Sequence, residues 1–249
     1  MKKLVVCGAH VNLFARTDGK LQKALENLEP LRKRTNQKIS CRRLDVTDDE
    51  ATRSILSEEV KSFGVPYVVI NCAGRAIPMK FEDISYRQFD ETMKVNLYGC
   101  RNTIAALLPF MKDSGGLIVN TSSIAGIIGI FGYTDYSASK FALIGFSEAL
   151  RTEVKKHNIE VKVLCPPDTD TPGFQNENLT KPEETQVISE GASLMTSDEV
   201  ADVFFKEMPR KQLTIVPGIS GKFNVIMKRL LPGLVASMID KQIKRVGPS

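Results

Sequence analysis

Short apolar segments alternate with longer amphipathic segments along the chain. The apolar segments predict strands at residues 10–15, 39–46, 67–71, 117–121, 161–165 and 213–216. Apolar residues at helical spacing predict helices between them, for example at Leu21, Leu25, Leu28 and Leu31 and again from Met93 to Met111. Strands that are apolar on both faces and alternate with helices favour parallel pairing. The pattern therefore predicts a doubly wound α/β fold with a mostly parallel Rossmann sheet.

Local signals place the ends of several helices. Thr47 and Glu50 have the spacing of a capping box, and Gly64 followed by Pro66 should end the helix that this box starts. Further helices are predicted at 136–157 and 197–207. The segment 169–196 lacks a clear period and is long for a connection, so we expect it to cover a substrate.

Polar residues follow the predicted strands at the edge of the sheet where doubly wound folds bind ligands. Tyr136 and Lys140 lie four residues apart at the start of a helix, hence on one face. A lysine there should lower the tyrosine pKa from about 10 toward neutrality and make the phenol a general acid or base. Ser123 directly follows a strand and either donates to a substrate carbonyl or caps a turn. Asn96 is unfavourable within a helix and either contacts the site or is an exposed, tolerated residue.

The order and spacing of these residues resemble the short-chain dehydrogenase/reductase family over nearly the whole chain. The resemblance implies that Tyr136 exchanges a proton with the substrate oxygen and that Lys140 lowers its pKa and holds the nicotinamide ribose. It implies that Ser123, with Ser122 as the neighbouring candidate, orients the substrate and that Asn96 supports a proton relay. The resemblance also implies cofactor contacts, at Asp45, Val46, Asn71, Ala73, Gly74, Tyr136, Lys140, Pro166, Thr169 and Thr171.

Two stretches, 129–142 and 166–174, are similar to one subgroup of that family, the 3-ketodihydrosphingosine reductases. Pro167 stands where the wider family usually has glycine, which fixes φ near −65°. The resemblance implies NADPH-dependent reduction of a ketone on a long-chain lipid. The alternatives are a reductase acting on a steroid, retinoid or acyl ketone, and a non-catalytic subunit.

Charge also favours NADPH over NADH. Arg16 ends the strand that should bind the adenosine ribose, and Lys20 follows it in the next helical segment. Bases at this position pair with a 2′-phosphate, whereas an acid would accept from a 2′-hydroxyl. Asp18 is the nearby acid, and we interpret it as a helix cap.

The glycine-rich fingerprint of the family does not precede this strand. We interpret Met1–Gly8 as the last two turns of the first helix, with Leu4 and Val5 facing the sheet and Gly8 as the C-cap. We therefore describe residues 1–221 as an N-terminally truncated reductase domain that lacks the first strand. The strands on either side should then lack a partner, and we expect poor folding or weak NADPH binding.

Composition and charge narrow the possible classes of protein and of binding partner. The 249 residues are 42% hydrophobic and 25% charged, as in ordinary globular proteins. Residues 222–249 carry six bases and one acid, so the net charge of +5 lies in this amphipathic tail. A neutral body argues against nucleic-acid binding, and the tail favours peripheral membrane contact, capping of the domain or subunit pairing. The family expectation is a homo-oligomer.

The cysteines and histidines offer little for metal binding. Five scattered cysteines without a CxxC pair favour free thiols in a reducing compartment, and only two histidines are present. We predict no metal site and a cytoplasmic location, at the cytoplasmic face of the endoplasmic reticulum if the source is eukaryotic.

Overall fold

A computed structural model describes residues 1–191 and 193–246 and has the predicted α/β architecture. The strands are β1 Val11–Ala15, β2 Ile39–Arg43, β3 Val68–Asn71, β4 Gly116–Thr121, β5 Ile159–Leu164, β6 Thr169–Asp170, β7 Met195–Thr196 and β8 Thr214–Ile215. The α-helices are α1 Lys2–Val6, α2 Asp18–Leu28, α3 Asp49–Phe63, α4 Tyr86–Met93, α5 Gly99–Met111, α6 Thr134–Val154, α7 Pro172–Glu177, α8 Glu183–Glu190, α9 Ser197–Glu207, α10 Ile219–Leu230 and α11 Pro232–Ile243.

All strands pair in parallel, but the Rossmann sheet is interrupted. Strands β3, β4, β5 and β8 form one sheet in that order, and β1 pairs with β2 in another. In the usual strand order 3-2-1-4-5-6, a central strand separates the positions of β1 and β3. Within the described ranges, each of these two strands has a strand partner on one edge only. In the described residues, one edge of β1 and one edge of β3 therefore lack a backbone ladder.

Helices cover both faces, as a doubly wound fold requires. On one face, Phe14 of β1 and Val69 of β3 pack into the same apolar cluster as residues of α3, α5 and α6. On the other face, α9 packs on β4, β5 and β8, while α1 and α2 pack on β1 and β2. The shared cluster around α3 and α5 holds the two sheets to a common core.

Helix α1 spans Lys2–Val6, shorter than the predicted two turns, and it packs on the sheet through the predicted residues. Val5 is fully buried against β1 and β2, and Leu4 packs beside it. The Gly8 N–H donates to Val5 O and the Ala9 N–H donates to Leu4 O, the two bonds of a Schellman motif. Gly8 has φ of 82°, which explains the glycine at this position.

Several predicted boundaries are wrong for identifiable reasons. Asp48, not Thr47, caps α3 by accepting from the Ala51 N–H, because Thr47 is held in a turn by the Asp45 carboxylate. That turn also ends β2 at Arg43, three residues before the predicted end. Gly64 ends α3 as predicted, with φ of 102°.

The predicted helix from Met93 to Met111 is not continuous. A π-helical turn, Lys94–Tyr98, separates α4 from α5. Apolar spacing does not reveal such a turn, because one extra residue shifts the period only slightly.

The segment 169–196 is a small lid rather than an irregular loop. Helices α7 and α8 lie between β6 and β7, which pair with each other and close the base of the lid. Thr171 accepts from the Phe174 N–H and caps α7, whose first residue is Pro172.

The C-terminal segment forms two helices, and the predicted boundary at residue 222 falls inside α10. The start of α10 belongs to the body, since Gly221 is buried and Val225 packs with Val163, Cys165 and Val216. Helix α11 packs against α8 of the lid. Within residues 1–191 and 193–246, no helix has both the length and the apolar character that spanning a membrane requires.

We predict that Gln37→Ala destabilises the fold. The Gln37 side chain is 1% exposed, and its amide donates to Val5 O at 2.9 Å and to Ala9 O at 2.7 Å, fastening α1 to the body. Ala9 O would lose this donor and Val5 O would keep only the Gly8 N–H, which should lower the free energy of unfolding by about 2 kcal/mol in urea denaturation. Gln22→Ala, at an exposed position of α2, serves as the control, and equal effects of the two substitutions would contradict the prediction.

Candidate active site

The connection from β4 to α6 brings the predicted catalytic residues together. Ser123 follows β4 and begins the 3₁₀ turn Ile124–Gly126, whose Ala125 N–H it caps at 3.1 Å. Its side chain also lies beside that of Tyr136 and lowers the pKa of the phenol. Ser123 is therefore a cap, as one of its two interpretations predicts, and its donation to a substrate carbonyl stays a prediction.

Ser122 has a different role. It is 2% exposed and its hydroxyl donates to the backbone carbonyl of Lys140 at 3.0 Å. This bond ties the end of β4 to α6 and leaves Ser123 as the serine that faces Tyr136.

Tyr136 keeps its proton in this arrangement. Burial raises the pKa of Tyr136 far above its ordinary value, and the negative charge of Glu177 raises it further. The contact with Ser123 acts in the opposite direction but is weaker. The predicted lowering of this pKa by Lys140 is wrong for this structure, because spacing along a helix does not reveal burial. A protonated phenol is the form required to donate a proton to a carbonyl oxygen.

Lys140 lies one turn after Tyr136 and is 4% exposed. Its Nζ donates to Thr121 O at 2.8 Å and lies 5.5 Å from the centre of the Tyr136 ring. Burial lowers the pKa of Lys140. An ammonium group has three donors, so two remain for other oxygen acceptors.

Asn96 lies in the π turn and is fully buried, which excludes the exposed alternative. Its Oδ1 accepts from the Arg75 N–H at 2.8 Å, and its Nδ2 donates to Arg75 O at 3.0 Å and to Ser139 Oγ at 2.9 Å. Ser139 in turn donates to Tyr136 O at 2.6 Å. Asn96 therefore joins the segment after β3 to the turn of α6 that carries Tyr136.

The segment after β3 reaches the same place. The Asn71 side chain donates to Asn120 at 2.9 Å across the sheet, so it is a structural bond rather than an open ligand group. Ala73 and Gly74 are exposed beyond the strand. A Cβ on Gly74 would lie 3.6 Å from Lys140 Nζ, which places this backbone beside the buried ammonium.

The predicted adenosine contacts lie at the ends of β1 and β2. Arg16 and Lys20 are exposed, whereas Asp45 holds Thr47 and Val46 packs on Gly99. Arg43 is a base that the sequence interpretation missed. It is aligned with Ala15 in the β1–β2 register, next to Arg16, and it pairs with Asp18 at 4.0 Å.

Residues after β5 mainly form local bonds. Pro166 O accepts from the Ile124 N–H at 3.1 Å, and Thr169 Oγ1 donates to Pro167 O at 2.8 Å. Thr171 caps α7 at 3.1 Å. Through these bonds, Pro166, Thr169 and Thr171 fix the backbone between β5 and α7.

The lid adds polar residues that sequence reasoning did not select. The Tyr133 hydroxyl donates to Glu177 Oε2 at 2.8 Å, and the Tyr133 ring lies 5.5 Å from the Tyr136 ring. Burial raises the pKa values of Asp168 and Glu177, and burial lowers that of Lys181. Residues 133 and 177 are far apart along the chain, so no local pattern links them.

Asp135 is a second addition. It is fully buried, and its carboxylate accepts from Thr92 Oγ1 at 2.7 Å and from the Tyr136 N–H at 2.7 Å. It therefore helps to hold the catalytic turn against α4.

The residues present fit the two ends of NADPH. Lys140 and the Gly74 backbone offer donors for ribose oxygens, and the bases Arg16, Lys20 and Arg43 suit a 2′-phosphate. Within the described chain, no glycine-rich turn at a strand end offers backbone amides to the diphosphate.

The model of the short chain dehydrogenase family matches residues 1–182 of this chain. The matched region includes the four catalytic candidates and Glu177. Because it covers well over half of the chain, the protein belongs to the short-chain dehydrogenase family.

Two vertebrate proteins are similar to most of this chain. The 3-ketodihydrosphingosine reductase of Bos taurus is 40% identical over 202 residues, which are 80% of this chain and 61% of that protein. The 3-dehydrosphinganine reductase of Danio rerio is 39% identical over 216 residues, which are 86% of this chain and 65% of that protein. The chain thus spans less than two thirds of the length of these relatives.

Solved structures share the fold. A Thermococcus sibiricus alcohol dehydrogenase complexed with 5-hydroxy-NADP has a TM-score of 0.72, with 23% identity and coverage of 86% of this chain and 87% of its own. A Burkholderia phymatum short-chain dehydrogenase/reductase in complex with NAD has a TM-score of 0.79, with 19% identity and coverage of 94% and 88%. At these identities the comparison establishes the fold alone.

We predict that Tyr136 does not ionise near its ordinary pKa of about 10. Burial and Glu177 raise its pKa, so the difference in tyrosinate absorbance between wild type and Tyr136→Phe should stay flat up to about pH 10 in the folded protein. In urea, where burial is lost, the same difference should appear at about pH 10. A tyrosinate signal that Tyr136→Phe abolishes below about pH 9 would contradict this account.

Proposed function

We propose that this protein reduces the ketone of a long-chain lipid with NADPH, and that the substrate is 3-ketodihydrosphingosine. The observation that carries the proposal is the position of Tyr136 beside Ser123, with the buried ammonium of Lys140 one helical turn away and 5.5 Å from the ring centre. The names of the similar vertebrate reductases supply the substrate. The bases Arg16, Lys20 and Arg43 support NADPH rather than NADH.

Residues of this chain orient the ketone and transfer the proton in the proposed reaction. Ser123 donates a hydrogen bond to the substrate carbonyl and orients it beside Tyr136. The Tyr136 phenol donates its proton to the ketone oxygen as the C=O bond becomes a C–O–H bond. The positive charge of Lys140, 5.5 Å from the ring centre, stabilises the phenolate that remains. Bound NADPH supplies the hydride that completes the secondary alcohol.

We predict that Tyr136→Phe lowers the rate of NADPH oxidation with 3-ketodihydrosphingosine by roughly 10²–10⁴-fold, the usual contribution of a positioned acid. Tyr86→Phe, at a side chain that is 86% exposed and outside the site, should keep the wild-type rate. A wild-type rate in Tyr136→Phe would contradict the mechanism. If the wild type reduces neither this ketone nor steroid, retinoid and acyl ketones, the non-catalytic alternative gains support.

We further propose that α10 and α11 dock on the cytoplasmic face of a membrane. Large apolar side chains are exposed along both helices, at Ile219, Phe223, Ile226, Leu230, Leu231, Leu234 and Met238. Residues 222–249 carry six bases and one acid, which favours anionic lipid as the occupant of this face.

We predict that the double variant Leu230→Glu and Leu234→Glu loses binding to phosphatidylserine vesicles in a flotation assay. Leu230 is 70% exposed and Leu234 is 49% exposed, so the new carboxylates should repel anionic lipid without disturbing the core. Tyr86→Glu is the matched control and should still bind. If the wild type does not bind vesicles but forms a homo-oligomer that the double variant dissociates, a second copy of the chain covers this face instead.

A further inference from the structure

Glu177 places a carboxylate beside the reacting centre that proton transfer does not require. It is the last residue of α7, and the hydroxyl of Tyr133 donates to its Oε2 at 2.8 Å. The Tyr133 ring lies 5.5 Å from the ring of Tyr136. The negative charge of Glu177 raises the pKa of Tyr136, so the two side chains are electrostatic neighbours.

Two cations, Lys181 and Lys140, and one further acid, Asp168, act on the Glu177 carboxylate. Asp168 is a second acid on the same side of the lid and lines a cleft of about 430 Å³ together with Lys181. Lys181 is 7% exposed, with its Nζ over the Phe174 ring at 4.0 Å and donating to Ser189 Oγ at 3.3 Å. The ion pairs within 4 Å that the described residues form do not include Glu177. Glu177 thus lies near the catalytic tyrosine without an ion-pair partner within 4 Å among the described residues, although Lys181 and Lys140 act on it at longer range.

Partial burial of a carboxylate beyond ion-pair distance of a cation is unfavourable, and burial raises the pKa of Glu177 accordingly. A substrate without a charged group would not offset the unfavourable free energy of burying this carboxylate. A substrate that brings its own cation would offset it and would gain a charge-assisted hydrogen bond.

We infer that Glu177 is a specificity-determining residue that pairs with the ammonium group of an α-amino ketone. The inference rests on the proposed function, because 3-ketodihydrosphingosine carries its amino group on the carbon next to the ketone. When the ketone oxygen meets Tyr136 and Ser123, the ammonium lies one carbon away, on the side where the lid can present Glu177. Tyr133 acts as a positioning residue that holds the carboxylate, and Asp168 adds to the negative potential.

The experiment measures binding, so it does not depend on turnover. Dissociation constants are measured by isothermal titration calorimetry for a soluble short-chain homologue of the amino-alcohol product and for the same alcohol with hydrogen in place of the amino group. We expect the wild type to bind the amino alcohol roughly 10–100-fold more tightly, and Glu177→Gln to bind the two alcohols about equally. Glutamine keeps an oxygen that can accept from Tyr133, so the lid should remain folded.

Two further variants separate charge from structure. Glu183→Gln removes a carboxylate from an exposed position of the lid helix α8 and should keep the preference for the amine. Glu177→Asp keeps the charge and should keep part of the preference. Equal binding of the two alcohols by the wild type, or a preference that persists in Glu177→Gln, would overturn the inference.

Reduction of the corresponding amino ketone and of its analogue without the amino group is scored separately. If the wild type reduces neither ketone but binds the amine through Glu177, the proposed reaction fails and the ammonium subsite stands. If it reduces both ketones with equal kcat/KM, the proposed reaction stands and the subsite fails.

Discussion

The ammonium group of Lys140 is buried where β4 ends and donates to the backbone carbonyl of Thr121 at 2.8 Å. Ser122 returns a bond from the strand end to Lys140 O at 3.0 Å, so strand and helix are tied in both directions. These two bonds fix α6 against β4 and thereby fix Tyr136, one turn earlier, against Ser123. An unpaired buried ammonium would be costly, which makes this contact difficult to break without disturbing the whole site.

The other elements place their side chains around Tyr136 and Lys140. Asn96, placed by the π turn, clamps the backbone of Arg75 and reaches Tyr136 through Ser139. The lid places Glu177 near Tyr136, where the Glu177 carboxylate accepts a hydrogen bond from the Tyr133 hydroxyl. Helix α11 packs against α8, so the lid adjoins the helices that we propose to meet the membrane. Binding of these helices to a membrane would therefore place the lid next to the membrane surface.

The sequence predicts much of the fold because its signals are local. Gly8 after an apolar turn predicts a Schellman cap, and Gly64 predicts the end of α3. The predicted helix cap at Thr47 is wrong, because the Asp45 carboxylate holds this threonine in a turn and Asp48 caps α3 instead. The π turn at Asn96 and the short helices of the lid are also missed. They span too few residues to establish a period.

The candidate site, like the fold, is predictable from the sequence only where the signals are local. Spacing along one helix places Tyr136 and Lys140 together, and the family resemblance selects Ser123 over Ser122. The protonation of Tyr136 was predicted in the wrong direction, because burial depends on the packing of distant segments. The partnership of Tyr133 with Glu177 joins residues 44 apart in sequence and leaves no local signal. Arg43 becomes a neighbour of Arg16 only through the parallel β1–β2 register.

The central claim is that this site reduces a ketone at its carbonyl carbon. The most direct measurement uses NADPH with deuterium at the transferable position and follows the product of 3-ketodihydrosphingosine by mass spectrometry. Our account predicts one deuterium on the new carbinol carbon in the wild type and roughly 10²–10⁴-fold slower formation of the labelled product with Tyr136→Phe. Absence of label at that carbon in the wild type would contradict the account.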